Sequence, residues 1–243
     1  MTETLVLVPG LLCDAIVWEH QLEALGGRYN VHVADVTGFS SIRGMAKATL
    51  KAVPGPISVA GHSMGARVAL EMVRIAADRI IRLGLLDTGV DPMTEGEPAR
   101  RQTLVDLGAR EGMRALAEAW LPPMVRPGAL DEDPELRRKL YAMVERMSPD
   151  IHKRQIKALL DRPGASGVLR TLNCPVLIGC GELDCWSPPS QHEAMAELVP
   201  GARFVLFSGS GHMAPMEAPE AVTQALRHWL EQVPTQMDLS TNE

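Results

Sequence analysis

The stretch Gly61-His62-Ser63-Met64-Gly65 constrains this chain more than any other. It stands between an apolar, β-branched run at 57–60 and a segment at 66–72 whose apolar residues recur at helical spacing. A strand that feeds straight into a helix through a glycine-flanked serine needs a turn so tight that the serine takes strained backbone angles. A side chain at either glycine would collide with neighbouring backbone. Such a turn lifts the Ser63 hydroxyl above the end of a sheet. The five residues alone are weak evidence, because a glycine-rich turn that merely packs a helix onto a strand would show them too; the strand before and the helix after give them weight.

The rest of the chain repeats the strand-then-helix alternation. Short apolar runs at 5–8, 31–36, 57–60, 81–86, 175–180 and 203–207 predict strands, and segments at 18–25, 44–52, 64–77, 191–198 and 218–229 predict helices. Strands buried on both faces and separated by helices imply a mainly parallel sheet. The alternation breaks once, between Asp87 and Pro175, where about four amphipathic helical segments follow one another, punctuated by prolines. This predicts a core domain of residues 1–88 and 169–243 and a helical cap at 89–168. From Val233 onward the chain turns polar and is expected to fray.

Composition narrows the partners. With 243 residues, 46% hydrophobic and 22% charged, the chain suits one α/β domain with an insertion. The net charge of −6 and the lack of any Lys/Arg run argue against nucleic acid. No apolar run reaches membrane-span length, and Met-Thr-Glu-Thr carries no signal-peptide charge, so a cytoplasmic protein without a membrane partner is expected, as a monomer or homodimer. The four cysteines form no Cys-x-x-Cys and are read as reduced. No metal cluster or phosphate-cradling loop is visible, so neither metal nor cofactor is expected.

A serine hydroxyl needs a base within hydrogen-bond reach. Of the seven histidines, His212 follows the strand at 203–207 in the loop Ser208-Gly209-Ser210-Gly211-His212-Met213, at the sheet edge where ligands bind in open α/β folds. The orienting acid is expected between nucleophile and base in chain order. Asp184, in Gly181-Glu182-Leu183-Asp184 after the strand at 175–180, meets that demand; Asp87 is its rival, and Glu182 is better placed to hold the turn. Backbone amides of Met64 and of the loop after the first strand, Leu11 or next Leu12, are expected to form an oxyanion hole, with Gly10 letting that loop approach closely.

These segments, with Pro188 after the acid turn, resemble the α/β-hydrolase superfamily over essentially the whole chain. They look most like its small, capped bacterial branch of carboxylesterases, lactonases, carbon-carbon bond hydrolases and the menaquinone-pathway lyase. The resemblance implies an α/β-hydrolase fold with a helical cap after the sixth family strand and the first antiparallel strands missing. Pro9 stands where the family commonly has His, so the oxyanion loop needs other supports. Ser63 in place of Asp argues against haloalkane dehalogenases and epoxide hydrolases. Arg67, one helical turn after Ser63, matches an arginine of the lyase branch, although a surface salt bridge is the ordinary role for such a residue. The implied activity is cleavage of a small, partly apolar ester or lactone through an acyl-enzyme. A carbon-carbon hydrolase or lyase, or a receptor with a vestigial triad, are the alternatives. Leu12, Trp120, Met124, Met143, Met147 and Met213 are expected to bind substrate, with Met93 and Leu121 also in the roof and Cys13, Trp18 and Trp186 as weaker wall candidates.

Overall fold

In the computed structural model, which describes residues 3–234, the apolar runs become six strands. They are β1 (Thr4–Val8), β2 (Asn30–Val33), β3 (Ile57–His62), β4 (Ile80–Leu86), β5 (Val176–Gly181) and β6 (Arg203–Phe207). They form one sheet in the order β2-β1-β3-β4-β5-β6, and each neighbouring pair runs parallel. β1, β3 and β5 are buried along their whole length, while the edge strands β2 and β6 are partly exposed. That burial is what near-continuous apolar runs require when helices cover a sheet.

The helices are α1 (Glu19–Leu25), α2 (Ile42–Ala52), α3 (Met64–Ala76), α4 (Glu97–Trp120), α5 (Ala129–Glu132), α6 (Pro134–Glu145), α7 (Pro149–Leu160), α8 (Ser166–Leu169), α9 (Pro189–Glu197), α10 (Ala214–Glu217) and α11 (Pro219–Leu230). α1 packs on α11, and α2 on α3. The indole of Trp229, fully buried on α11, donates to the Pro175 carbonyl at 3.2 Å, so this large side chain fills the core without orphaning its N–H. The helices α4 to α8 all fall between β4 and β5, where the alternation breaks. α4 is interrupted at Gly112 (φ 87°, ψ 174°), and its two parts pack on α6 and α7.

Several boundaries differ from the sequence expectation. β2 ends at Val33 rather than 36, because the Asp35 carboxylate accepts from both the amide (2.9 Å) and the hydroxyl (2.7 Å) of Thr37 and turns the chain away. β3 runs on through Gly61 and His62, which pair with Leu85 and Leu86. α2 begins at Ile42, capped by Ser41, whose hydroxyl accepts from the Gly44 amide at 3.1 Å. The short α10 was not foreseen. The expected fraying falls almost entirely beyond residue 234, outside the described residues.

Because every strand points the same way, the loops after β1, β3, β4, β5 and β6 all emerge at one edge of the sheet. The tightest of these exits is the turn from β3 into α3. A Cβ on Gly61 would lie 2.3 Å from the Gly65 carbonyl carbon, and one on Gly65 would lie 2.1 Å from the Val8 carbonyl oxygen. Both obstacles are backbone and have nowhere to move. Gly61→Ala and Gly65→Ala should each lower the unfolding free energy by more than about 4 kcal/mol in urea titrations. Gly167→Ala, with nothing within 4 Å of the new atom, should change it by less than about 1 kcal/mol.

Candidate active site

Ser63 sits at φ 54° and ψ −115°, a conformation a non-glycine residue rarely takes. The neighbouring strand holds it there: its amide donates to the Leu86 carbonyl at 2.8 Å, and its own carbonyl accepts from the Thr88 hydroxyl at 3.0 Å. Among the described residues only Leu12 (φ 57°) and Asp87 (φ 49°) share a positive φ without being glycine. Both lie just past strand ends at this same sheet edge.

The Ser63 hydroxyl donates to His212 Nε2 at 2.8 Å, and His212 Nδ1 lies 2.8 Å from Asp184 Oδ2. A carboxylate only accepts, so Nδ1 carries the proton and Nε2 is the bare nitrogen facing Ser63. The other Asp184 oxygen accepts from the amides of Trp186 and Ser187, each at 2.8 Å. Burial alone would raise the Asp184 pKa. The bond from His212 and the two amides outweigh it and hold the group below the usual carboxylate range. The His212 loop is itself tied down: Glu217 Oε2 accepts from the amides of Gly211 (3.0 Å) and Met213 (3.2 Å).

Asp87 occupies a different place. It is fully buried, and its Oδ1 accepts from the Gly181 amide at 2.8 Å; Oδ2 has no partner and lies 3.8 Å from His62 Nε2. Burial, and then the charge of Asp184, push its pKa well up. It holds the start of the acid loop and does not touch His212 Nδ1. His62 Nε2 donates to the His212 carbonyl at 2.7 Å, supporting the base loop from behind, and Trp18 packs edge-on against the His62 ring. Glu182 Oε2 accepts from the Gly209 amide at 3.0 Å across the two loops.

In the loop after β1, the Leu12 amide donates to Gln155 Oε1 of α7 at 2.9 Å. No protein acceptor among the described residues takes the amide of Leu11 or Met64. Gln155 thus supplies support for a loop that has Pro9 in place of a histidine, and it leaves Leu11, not Leu12, with a free donor. A cavity of about 550 Å³ opens beside Ser63, His212, Leu11 and Met64.

A model of the alpha/beta hydrolase family matches residues 5–225. The chain is an alpha/beta hydrolase. It is 31% identical to a thermophilic esterase from Thermogutta terrifontis solved with malate bound, covering 96% of this chain and 90% of that one with a TM-score of 0.86. The enol-lactonase from Burkholderia xenovorans LB400 shares the fold at a TM-score of 0.86 and 21% identity, over 96% and 92% of the two chains. An (E)-2-((N-methylformamido)methylene)succinate hydrolase of Acinetobacter baylyi is 26% identical over 96% of this chain and 92% of its own. No helix among the described residues of this hydrolase is long and apolar enough to cross a membrane.

Of the residues expected to bind substrate, Trp120, Met124 and Met213 line the cavity, as do Cys13 and Trp186. Leu12, Met143 and Met147 do not. The Leu12 side chain, on a backbone at φ 57°, is fully buried in the core, and Met143 on α6 is fully buried as well. Met147, just past α6, is buried in the same cluster. Leu121 and Trp18 are likewise packed away, and Met93 is 42% exposed outside the cavity. Arg67 lines the cavity and forms no salt bridge among the described residues, against the ordinary expectation. Motif and spacing do not point to Gln155 or to the cavity residues Glu97, Arg101, His152 and Arg162. The only available signal was that His152, Ile156 and Leu159 share one face of α7.

His152 lends itself to a stability test. Burial, and then Arg101, push its pKa down to about 4, against about 6.5 in an unfolded chain. Below pH 6.5 the unfolded state gains a proton that the folded state refuses, so stability is lost as pH falls. His152→Leu removes that linkage. Relative to wild type, the variant should gain about 2 kcal/mol between pH 7 and pH 5 in urea titrations; equal pH slopes would contradict a neutral buried imidazole.

Proposed function

We propose that this alpha/beta hydrolase cleaves a carboxylic ester or lactone of a small substrate through an acyl-enzyme on Ser63. The observation that carries this reading is the unbroken chain from Ser63 Oγ through His212 to Asp184, two bonds of 2.8 Å, ending at a cavity. Ser63 Oγ attacks the carbonyl carbon as its proton passes to His212 Nε2. Asp184, held ionised, stabilises the imidazolium that results. The oxyanion accepts from the Leu11 and Met64 amides, which are already in place and unspent on other partners. His212 then protonates the departing alkoxide, and water, deprotonated by the same imidazole, releases the acid. The insertion between β4 and β5 serves as a cap, contributing Trp120, Met124 and Ile156 as apolar cavity wall. The Thermogutta terrifontis relative, 31% identical, is an esterase, which supports this class of reaction.

Ser63→Ala should lower kcat by about 10⁴-fold on an activated ester. Wild type mixed with a p-nitrophenyl ester should gain the acyl mass and show a burst, both absent from the variant. A rate within tenfold of wild type would remove Ser63 from the mechanism. Gln155→Leu, which strands the Leu12 amide and frees the oxyanion loop, should cut kcat by about 10- to 100-fold with little change in KM.

A further inference from the structure

The turn at Ser63 breaks the ladder between β3 and β4 and leaves one amide over. In a parallel pair, a residue whose amide donates to one carbonyl of its neighbour accepts at its own carbonyl from the amide two residues further on. The Ser63 amide donates to the Leu86 carbonyl at 2.8 Å, so the next rung would run from the Thr88 amide to the Ser63 carbonyl. The chain turns into α3 there, and the Thr88 hydroxyl takes that carbonyl instead, at 3.0 Å. The amide of Thr88, a buried residue, then needs another acceptor. It finds His192 of α9, whose Nε2 lies 2.8 Å away. His192 is fully buried, and its Nδ1 stands 3.2 Å from the Pro188 carbonyl. A carbonyl only accepts, so the proton sits on Nδ1 and Nε2 is bare. Burial holds the His192 pKa below the ordinary histidine value, which keeps that acceptor available.

We propose that His192 is a positioning residue for the oxyanion hole, aiming the Met64 amide through Thr88. The Ser63 carbonyl and the Met64 N–H belong to one planar peptide, so whatever fixes the carbonyl fixes the direction in which that N–H points. The Thr88 hydroxyl alone is a loose anchor, because it can rotate and the Gly89 carbonyl, at 3.4 Å, offers it a second acceptor. His192 removes that freedom by holding the Thr88 backbone, which leaves the hydroxyl facing Ser63. α9 begins directly after the acid loop, where the Ser187 amide donates to Asp184 at 2.8 Å, so one segment both holds the acid and steadies the donor. The role rests on Ser63 being the nucleophile of an acyl transfer. An oxyanion donor acts on charge that develops only in the transition state, so a misaimed Met64 amide lowers kcat and leaves KM alone.

The test compares substitutions that keep one or the other of the two His192 bonds. In His192→Gln the side-chain oxygen reaches the place of Nε2 and can accept from the Thr88 amide. In His192→Asn the side chain stops at the place of Nδ1 and can serve only the Pro188 carbonyl. On p-nitrophenyl butyrate, His192→Leu and His192→Asn should each lose about 10- to 100-fold in kcat with KM within about threefold, and His192→Gln should recover to within about fivefold of wild type. A trifluoromethyl ketone, which adds to the serine and places an oxyanion in the hole, should bind His192→Leu more weakly by the same factor as kcat. Thr88→Val should show a like loss, and combining it with His192→Leu should cost no more than about threefold beyond either change alone, since both cut one line of contact. Where His192→Leu does not fold, by circular dichroism, the contrast between His192→Gln and His192→Asn decides. Recovery by His192→Asn equal to that by His192→Gln, a folded His192→Leu protein with kcat within about twofold of wild type, or a loss confined to KM would overturn the positioning role and leave the hydrolase reading intact. Wild type inert toward both the ester and the ketone would sink the hydrolase reading, and the positioning role with it.

Discussion

The left-handed peptide at Ser63 is the constraint on which the rest of the site depends. Such a conformation costs on the order of 1–3 kcal/mol and persists only where the surroundings over-determine it. Here they do so from two sides. β4 takes the Ser63 amide and the Thr88 hydroxyl takes its carbonyl, while α3 presses so closely on β1 and β3 that only glycine fits at 61 and 65. With that corner rigid, three things follow from one backbone geometry. The Ser63 hydroxyl reaches His212, the amide of Met64 has no protein acceptor among the described residues, and α3 carries Arg67 to the same cavity.

Environment also decides which of two buried carboxylates is charged. Asp87 and Asp184 both lie at strand ends behind the cavity, and two bare charges so close in an apolar setting could not coexist. Asp184 receives three donors, two amides and the His212 ring, and stays ionised. Asp87 receives one amide and is pushed toward its neutral form by burial and by Asp184 itself. The same logic keeps His62 neutral: burial, then the neighbouring His212, lower its pKa to about 3, so it donates to the His212 carbonyl without adding a competing positive charge behind the base.

Much of this was legible in the sequence, for a physical reason. In a parallel sheet every strand exit lies on one edge, so the order of strands along the chain already places the segments of Ser63, Asp184 and His212 together. The cavity walls were less legible because a helix in the insertion buries more than one face. On α6, Leu136, Leu140, Tyr141, Met143 and Val144 are all buried, and which side meets the cavity depends on a rotation that apolar spacing does not encode. The charged residues that line the cavity come mostly from α3, α4 and the end of α7, with Glu97 and Arg162 separated by 65 positions, so each residue taken alone looks like an ordinary helix-surface charge. Gln155 is harder still, since a buried glutamine in an amphipathic helix announces neither its partner nor its direction.

The inserted segment is bonded both to the loop after β1 and to the His212 loop and does not merely rest on them. Gln155 of α7 holds the Leu12 amide; the Met124 carbonyl accepts from the Met213 amide at 3.1 Å; and Glu217, beside the His212 loop, accepts from the Arg126 amide at 2.7 Å. Lifting the insertion as a rigid body would strand the buried Leu12 amide, at a cost of about 1–3 kcal/mol, and take one of three amide partners from the half-buried Glu217 carboxylate. The exposed lining residues Asp91, Pro92, Thr94, Arg100, Cys185, Trp186 and Gln191 instead mark a mouth that leaves those bonds intact. A ligand entering there finds the Leu12 amide still bonded to Gln155 and the loop after β1 held in register while the cavity fills.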